Sequence, residues 1–143
     1  MKLVRLLIIL IIAIDGLAGC ADFARWVRQY TYPSDFRYIE SDQLRSAMGQ
    51  LARHVREIDE HMQTPMDPEQ LRRDILEHLA GMDAAVRSLN TSGWPSNHPL
   101  IDMNLPRFQR DIGLARQAVE QEPANYTLTY SVTGACVYCH GRR

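Results

Sequence analysis

The chain has 143 residues, of which 45% are hydrophobic and 23% are charged, and its formal net charge is −1. This length is enough for one domain with a buried core and too short for two such domains. The nearly balanced charge argues against a nucleic-acid-binding protein, which would carry a strongly basic face.

Residues 1–19 have the pattern of a bacterial export signal. Lys2 and Arg5 supply a positive segment, and residues 6–14 form an uninterrupted apolar run. This run is shorter than the roughly 20 residues that a membrane-spanning helix needs. We therefore expect the rest of the chain to face the periplasm, on the exported side of the cell envelope.

Residues 17–20, with the sequence Leu-Ala-Gly-Cys, resemble a bacterial lipobox, in which the signal is cleaved before the cysteine and that cysteine is lipidated. The resemblance implies a lipid anchor on Cys20, and Ala21 at the next position favours the outer membrane. The alternative is an uncleaved anchor in which Cys20 is incidental.

Residues 20–40 are predicted to be a lipidated tether with an aromatic arm. A turn is indicated within the arm by Tyr32-Pro33-Ser34-Asp35. The arm either packs against the folded domain, which is the interpretation we prefer, or lies on the membrane surface, where Trp and Tyr are enriched. Its aromatic residues are Phe23, Trp26, Tyr30, Tyr32, Phe36 and Tyr38.

Residues 41–143 are predicted to be the folded domain, and the first helix begins at Ser41 or Asp42, both good N-caps. Thr64-Pro65 ends it, because a residue before proline is disfavoured in a helix. Apolar residues alternate along it at spacings of four and three, which is typical of a helix that packs along its length. They are Leu44, Met48, Leu51, Val55, Ile58 and Met62.

The second helix begins with Asp67 as its cap, followed by Pro68 at the first helical position. Gln70 is placed to close a capping box with Asp67. The same four-three rhythm continues through Leu71, Ile75, Leu79, Met82, Val86 and Leu89.

Residues 90–99 are predicted to be a loop that is rich in Ser, Asn, Gly and Pro, with Trp94 covering one end of the core. The third helix is expected to begin near Asn104, with Pro106 in its first turn. The fourth is expected to begin at Pro123 or Asn125 and to continue through the cysteines near the end of the chain.

Four amphipathic helices with short connections predict an all-α fold, an antiparallel four-helix bundle. A coiled-coil oligomer would show the same heptad pattern, but the proline-marked breaks favour a bundle within one chain.

The segment Cys136-Val137-Tyr138-Cys139-His140 has the attachment signature of c-type haem. Helical spacing would place both thiols on one side, where they reach the two haem vinyl groups, and His140 would be an axial ligand of the iron. We therefore expect one covalent haem c. A zinc site is the weaker interpretation because no second Cys/His pair with zinc-finger spacing is present, and no strand pattern supports a thioredoxin-like site.

The domain, together with this motif on the last helix, resembles the cytochrome c-prime family of four-helix class II cytochromes. In that family the first helix supplies the residue over the distal face of the haem. The resemblance implies Met48 for this position, as a haem contact and an iron ligand, and Arg45 for a nearby haem-contacting arginine. For Met48, ordinary core packing is the alternative. The family also implies a homodimer through the first two helices.

The other histidines are predicted to lie at the surface or at the boundary of the core. They are His54, His61, His78 and His98, and His54 is kept as an alternative distal ligand.

Two functions remain open at this point. The first is electron transfer to periplasmic or membrane redox partners, which a methionine ligand suits because it raises the reduction potential relative to a second histidine. The second is binding of nitric oxide or carbon monoxide at a five-coordinate iron. A subunit of a larger respiratory or photosynthetic complex is a weaker third. We do not expect an enzyme, because no paired carboxylates or nucleophile–base arrangement stands out.

Overall fold

A computed structural model describes residues 23–24, 26–28, 30–89 and 93–141. The described residues up to Phe36 form one compact unit and those from Arg37 onward form a second. The predicted signal at residues 1–19 and the predicted lipidation site, Cys20, lie outside the described residues. None of the helices in the described part of the chain is long and apolar enough to cross a membrane.

The first unit contains most of the predicted aromatic arm, and its rings contact one another. Tyr32 and Phe36 stack with ring centroids 4.4 Å apart and planes 7° from parallel. Trp26 contacts Tyr30 at 5.0 Å and Phe23 at 6.1 Å. The turn that was predicted here forms, with the N–H of Phe36 donating to the carbonyl of Pro33.

The second unit is all-helical, and the part that the structure describes contains five helices. They are α1 (Ser41–Gln63), α2 (Pro68–Ser88), α3 (Pro99–Glu120), α4 (Thr127–Gly134) and α5 (Val137–His140). Helices that follow one another from α1 to α4 pack together, and α3 also contacts α5. The prediction of an all-α protein is confirmed.

Helix α1 has the predicted extent, but its predicted N-cap is wrong. Glu40 holds the capping position without a side-chain hydrogen bond, and Asp42 accepts only from the N–H of Gln43. Ile39 bonds instead to a side chain far along the chain, so tertiary contacts hold the start of α1 where local capping was expected. At the other end Thr64 is extended, as a residue before proline should be.

Helix α2 begins at the predicted cap. The carboxylate of Asp67 accepts from the N–H groups of Glu69 and Gln70 at 3.0 Å each. The reciprocal half of the capping box does not form, because Gln70 Oε1 accepts from Arg73 at 2.9 Å and the Gln70 amide nitrogen donates to Asp74. The charged groups of Arg73 and Asp74 are stronger hydrogen-bond partners than a neutral backbone N–H.

Helix α3 begins at Pro99, five residues before the position predicted from sequence, Asn104. Pro99 is the proline at the first helical position, and Pro106 lies inside the helix. Pro106 lacks the N–H that would bond to the carbonyl of Asp102. Burial favours the earlier start of α3, because the added first turn contains Ile101, whose side chain is only 6% exposed.

The predicted fourth helix is divided in two. Helix α4 ends at Gly134, and α5 resumes after the turn residues Ala135 and Cys136. The β-branched residues and the glycine of α4 have low helix propensity, which allows the break. Leu128, predicted to face the core with Val132, is 39% exposed while Val132 is fully buried.

The core has two clusters that share partners on α1 and α3. The larger one lies between α1, α2, α3 and α4 and includes Ile58, Leu79, Ile112 and Val132. The smaller one consists of Ile39, Ala47, Leu89 and Ile101. Met48 and Leu105 pack against both clusters.

A polar network fixes the start of α3 against the segment before α1. The carboxylate of Asp102 accepts from the N–H of Ser96 at 2.8 Å and from its hydroxyl at 2.7 Å. The side chain of Asn97 accepts from the N–H of Ile39 at 2.8 Å and donates to its carbonyl at 3.1 Å. Residues 37–39 are therefore bonded to the loop that precedes α3. Trp94 in that loop is 37% exposed and does not cover the end of the core as predicted.

We expect Asp102→Ala to lower the free energy of unfolding by about 1–3 kcal/mol, because it leaves the buried N–H and O–H donors of Ser96 without their acceptor. Asp42→Ala is the matched control, since Asp42 is also an acidic residue in a first helical turn but is exposed. Urea unfolding followed by circular dichroism measures both. Equal losses in the two variants would show that the Ser96 bonds contribute nothing.

Candidate functional site

The Cys-x-x-Cys-His segment forms the turn between α4 and α5 and all of α5. The N–H of His140 donates to the carbonyl of Cys136 at 3.0 Å, which closes one helical turn across the motif. Gly141 then ends the helix at a φ of +70°, a conformation that suits glycine. Residues three and four apart in a helix share one face, so Cys136, Cys139 and His140 are brought together.

A cavity of about 290 Å³ lies beside this segment. Its walls come from α1, from α3 and from the motif, and most of the lining side chains are apolar. The residues are Met48, Leu51, Ala52, Val55, Ile101, Asn104, Leu105, Phe108, Ala135, Cys136, Tyr138, Cys139 and His140. The structure thus brings Met48 together with all three residues of the motif.

A second cavity of about 350 Å³ shares Met48, Ile101, Cys139 and His140 with the first. It adds His98, which the sequence placed in a surface loop. The Nε2 atom of His98 lies 3.3 Å from the side-chain nitrogen of Asn97. No sequence signal pointed to His98, because its position depends on the early start of α3 at Pro99.

The two thiols are free and differ in their surroundings. Cys136 is exposed, and its Sγ lies 3.9 Å from the carbonyl of Thr133. Cys139 is half-buried, with its Sγ 3.7 Å from the carbonyl of Leu100. Burial, and secondarily the charge of Cys136, raises the pKa of the Cys139 thiol.

Helix α5 has no buried residue of its own and is held by its neighbours. The guanidinium of Arg107 lies 4.1 Å from the centroid of the Tyr138 ring and donates to its hydroxyl at 3.1 Å. Ala135, just before the motif, is 4% exposed. These contacts fix one side of the motif on α3 and leave His140 exposed.

Two residues considered from the sequence lie away from this group. Arg45 is exposed on α1 and lines neither cavity. His54 lines neither cavity and instead faces α2, where its Nδ1 lies 3.3 Å from the Nδ1 of His78. Burial of the ring, and then the charge of His78, lower the pKa of His54.

The donor set fits a covalently attached haem. Two thiols and an imidazole lie along one edge of an apolar cavity, and a methionine lies on another wall. A zinc ion would need about four converging ligands. Among the described residues, the group with converging ligand atoms is Glu57, His61 and His78, and it includes no residue of the motif.

Comparisons with known protein families, with curated proteins and with solved structures found no match for this chain. The resemblance to the cytochrome c-prime family therefore stays a prediction that depends on the motif and the helical pattern.

In the chain without haem, we expect iodoacetamide to modify Cys136 several-fold faster than Cys139 at pH 8. The thiolate is the reacting form, and burial both raises the pKa of Cys139 and shields it. Peptide mass spectrometry over a time course measures the two rates. The rates should converge in guanidinium chloride, and faster reaction at Cys139 in the folded chain would contradict the placement of the two thiols.

Proposed function

We propose that this chain is a membrane-anchored monohaem c-type cytochrome that faces the periplasm and carries single electrons between redox partners. The observation that carries the proposal is the apolar cavity onto which Cys136, Cys139, His140 and Met48 converge. No residue is assigned a catalytic role, because transfer of an electron needs binding and burial rather than acid–base chemistry.

Each of these residues has a distinct task in the proposal. Cys136 and Cys139 would hold the haem through two thioether bonds, and His140 would be an axial ligand of its iron. When bound, the haem supplies an iron that accepts and releases one electron. The aliphatic and aromatic walls, among them Leu51, Val55 and Phe108, keep water away, which helps to set the reduction potential.

Met48 is proposed as the second axial ligand. It is half-buried on α1, lines both cavities and packs against both core clusters. These contacts suit a packing role equally well. The case for ligation is that Met48 shares both cavities with His140. Arg45 is the weaker part of the proposal, since its side chain is exposed.

The finer architecture belongs to the same proposal. We infer an antiparallel four-helix bundle in which α4 and α5 together take the place of the fourth helix and carry the haem. The connections between α1 and α2 and between α3 and α4 are short, which favours antiparallel neighbours. The homodimer implied by the family resemblance is tested by the molar mass in solution.

The location follows from the segment before the described residues. Cleavage before Cys20 and lipidation of its thiol would tether the chain to the bacterial envelope, with the outer membrane favoured by Ala21. Periplasmic or membrane redox proteins would then be the partners. Incorporation of labelled palmitate that is lost in Cys20→Ala tests this part of the proposal separately from the haem.

The first test is expression with a haem-attachment system. We expect absorbance that survives acid–acetone extraction, because thioether bonds resist it, and complete loss of that absorbance in the Cys136→Ala/Cys139→Ala variant. Extractable haem in the unaltered chain would overturn the proposal. A low-spin spectrum that carbon monoxide does not change supports electron transfer.

Gas binding is the second candidate, and the aliphatic lining favours it. Leu44, Leu51 and Val55 line the same cavities as Met48, so an iron without a sixth protein ligand would face side chains that cannot coordinate. A high-spin spectrum that shifts at once with carbon monoxide would select this function.

We expect Met48→Ala to convert a low-spin haem to a high-spin one and to lower its potential by on the order of 0.1 V, within the ≈ 0.8 V range that axial ligands span. Met62→Ala is the matched control, because it removes a half-buried methionine of α1 that packs on the core and lines neither cavity. Optical spectra and redox titration measure both variants. If the two variants shift the potential alike, Met48 is a packing residue.

A further inference from the structure

Three histidines and a glutamate meet where α1 packs on α2. His54, Glu57 and His61 are three, four and seven residues apart on α1 and therefore share one face of the helix. His78 lies opposite them on α2. All four side chains are half-buried, so water covers them only in part.

Three of the four side chains, Glu57, His61 and His78, converge closely enough for one ion, and His54 lies beside one of them, His78. The Nδ1 atoms of His54 and His78 are 3.3 Å apart, which is about the 3.3 Å that separates two nitrogens on a tetrahedral zinc. One ligand atom from each of Glu57, His61 and His78 lies within 4.8 Å of the others. The rings of His61 and His78 stack with their centroids 5.2 Å apart.

Gly81 on α2 makes room for one of these imidazoles. A Cβ atom at Gly81 would overlap the ring of His54, and the glycine has an ordinary helical conformation. Glycine inside a helix lowers the equilibrium constant for helix formation roughly fivefold relative to alanine. A requirement for the ring of His54 to lie next to His78 would account for a glycine at this position.

We propose that His54, Glu57, His61 and His78 form a zinc-binding site that joins α1 to α2. Three imidazoles and one carboxylate are a donor set that zinc accepts in four-coordinate geometry. The carboxylate of Asp74 lies beside the site, 3.9 Å from Nδ1 of His61. The site lies on other residues than the haem cavity and does not depend on the proposed haem.

Zinc titration into the full chain carrying Cys136→Ser and Cys139→Ser tests the proposal, since free thiols would otherwise bind the metal. After dialysis against a chelator, calorimetry should show one zinc per chain. We expect His78→Gln to weaken binding at least a hundredfold, with His98→Gln as the control that removes a histidine outside the site. Glu57→Gln should weaken binding about tenfold, with Glu60→Gln on the same helix as its control.

Two further readouts keep the test decisive if a variant folds poorly. The melting temperature of the chain with all four proposed ligands intact should rise with zinc concentration, because zinc binds the folded chain. That rise should vanish in His78→Gln. Gly81→Ala should weaken binding about tenfold while the chain stays helical, because it displaces His54. Zinc binding of unchanged affinity in the His61→Gln/His78→Gln variant, or no binding by the starting chain, would overturn the proposal.

Discussion

The position of the Cys-x-x-Cys-His segment depends on burial just before it. Helix α5 has only four residues and none of them is buried, so it has no core of its own. It follows a turn whose flanking residue Val132 and first residue Ala135 are buried. On α3, Arg107 stacks on the ring of Tyr138 and donates to its hydroxyl. Without this packing, Cys136, Cys139 and His140 would still be neighbours in sequence, but they would not line a cavity together with α1.

Helix α1 is the element that serves both candidate sites. Met48, Leu51 and Val55 face the cavity beside the motif, whereas His54 and His61 face α2. Successive helical residues point about 100° apart, so neighbours such as His54 and Val55 line different sites. A change that rotates or bends α1 would therefore affect both sites.

The two proposals require different chemistry and can fail separately. The haem proposal needs soft thiols for covalent attachment and an apolar wall, and both are present at Cys136 and Cys139. The zinc proposal needs neutral imidazoles and a carboxylate at a helix–helix interface, where Glu57 and His78 provide them. The proposed zinc site lies between α1 and α2, and zinc has no redox chemistry. The haem cavity lies where α1 and α3 meet the motif.

The sequence by itself determined the first two helices, the motif and the core-facing positions of α1 and α2, because a four-three apolar spacing and a cap such as Asp67 are local signals. It also singled out Met48, which lies on the cavity wall. Only the tertiary structure decided that α3 begins at Pro99 and that the last helix breaks at Ala135. At α3, burial of Ile101 outweighs the local signal for a later start, whereas low helix propensity in α4 allows the break without fixing its position. Spacing along one chain cannot show that His54 meets His78.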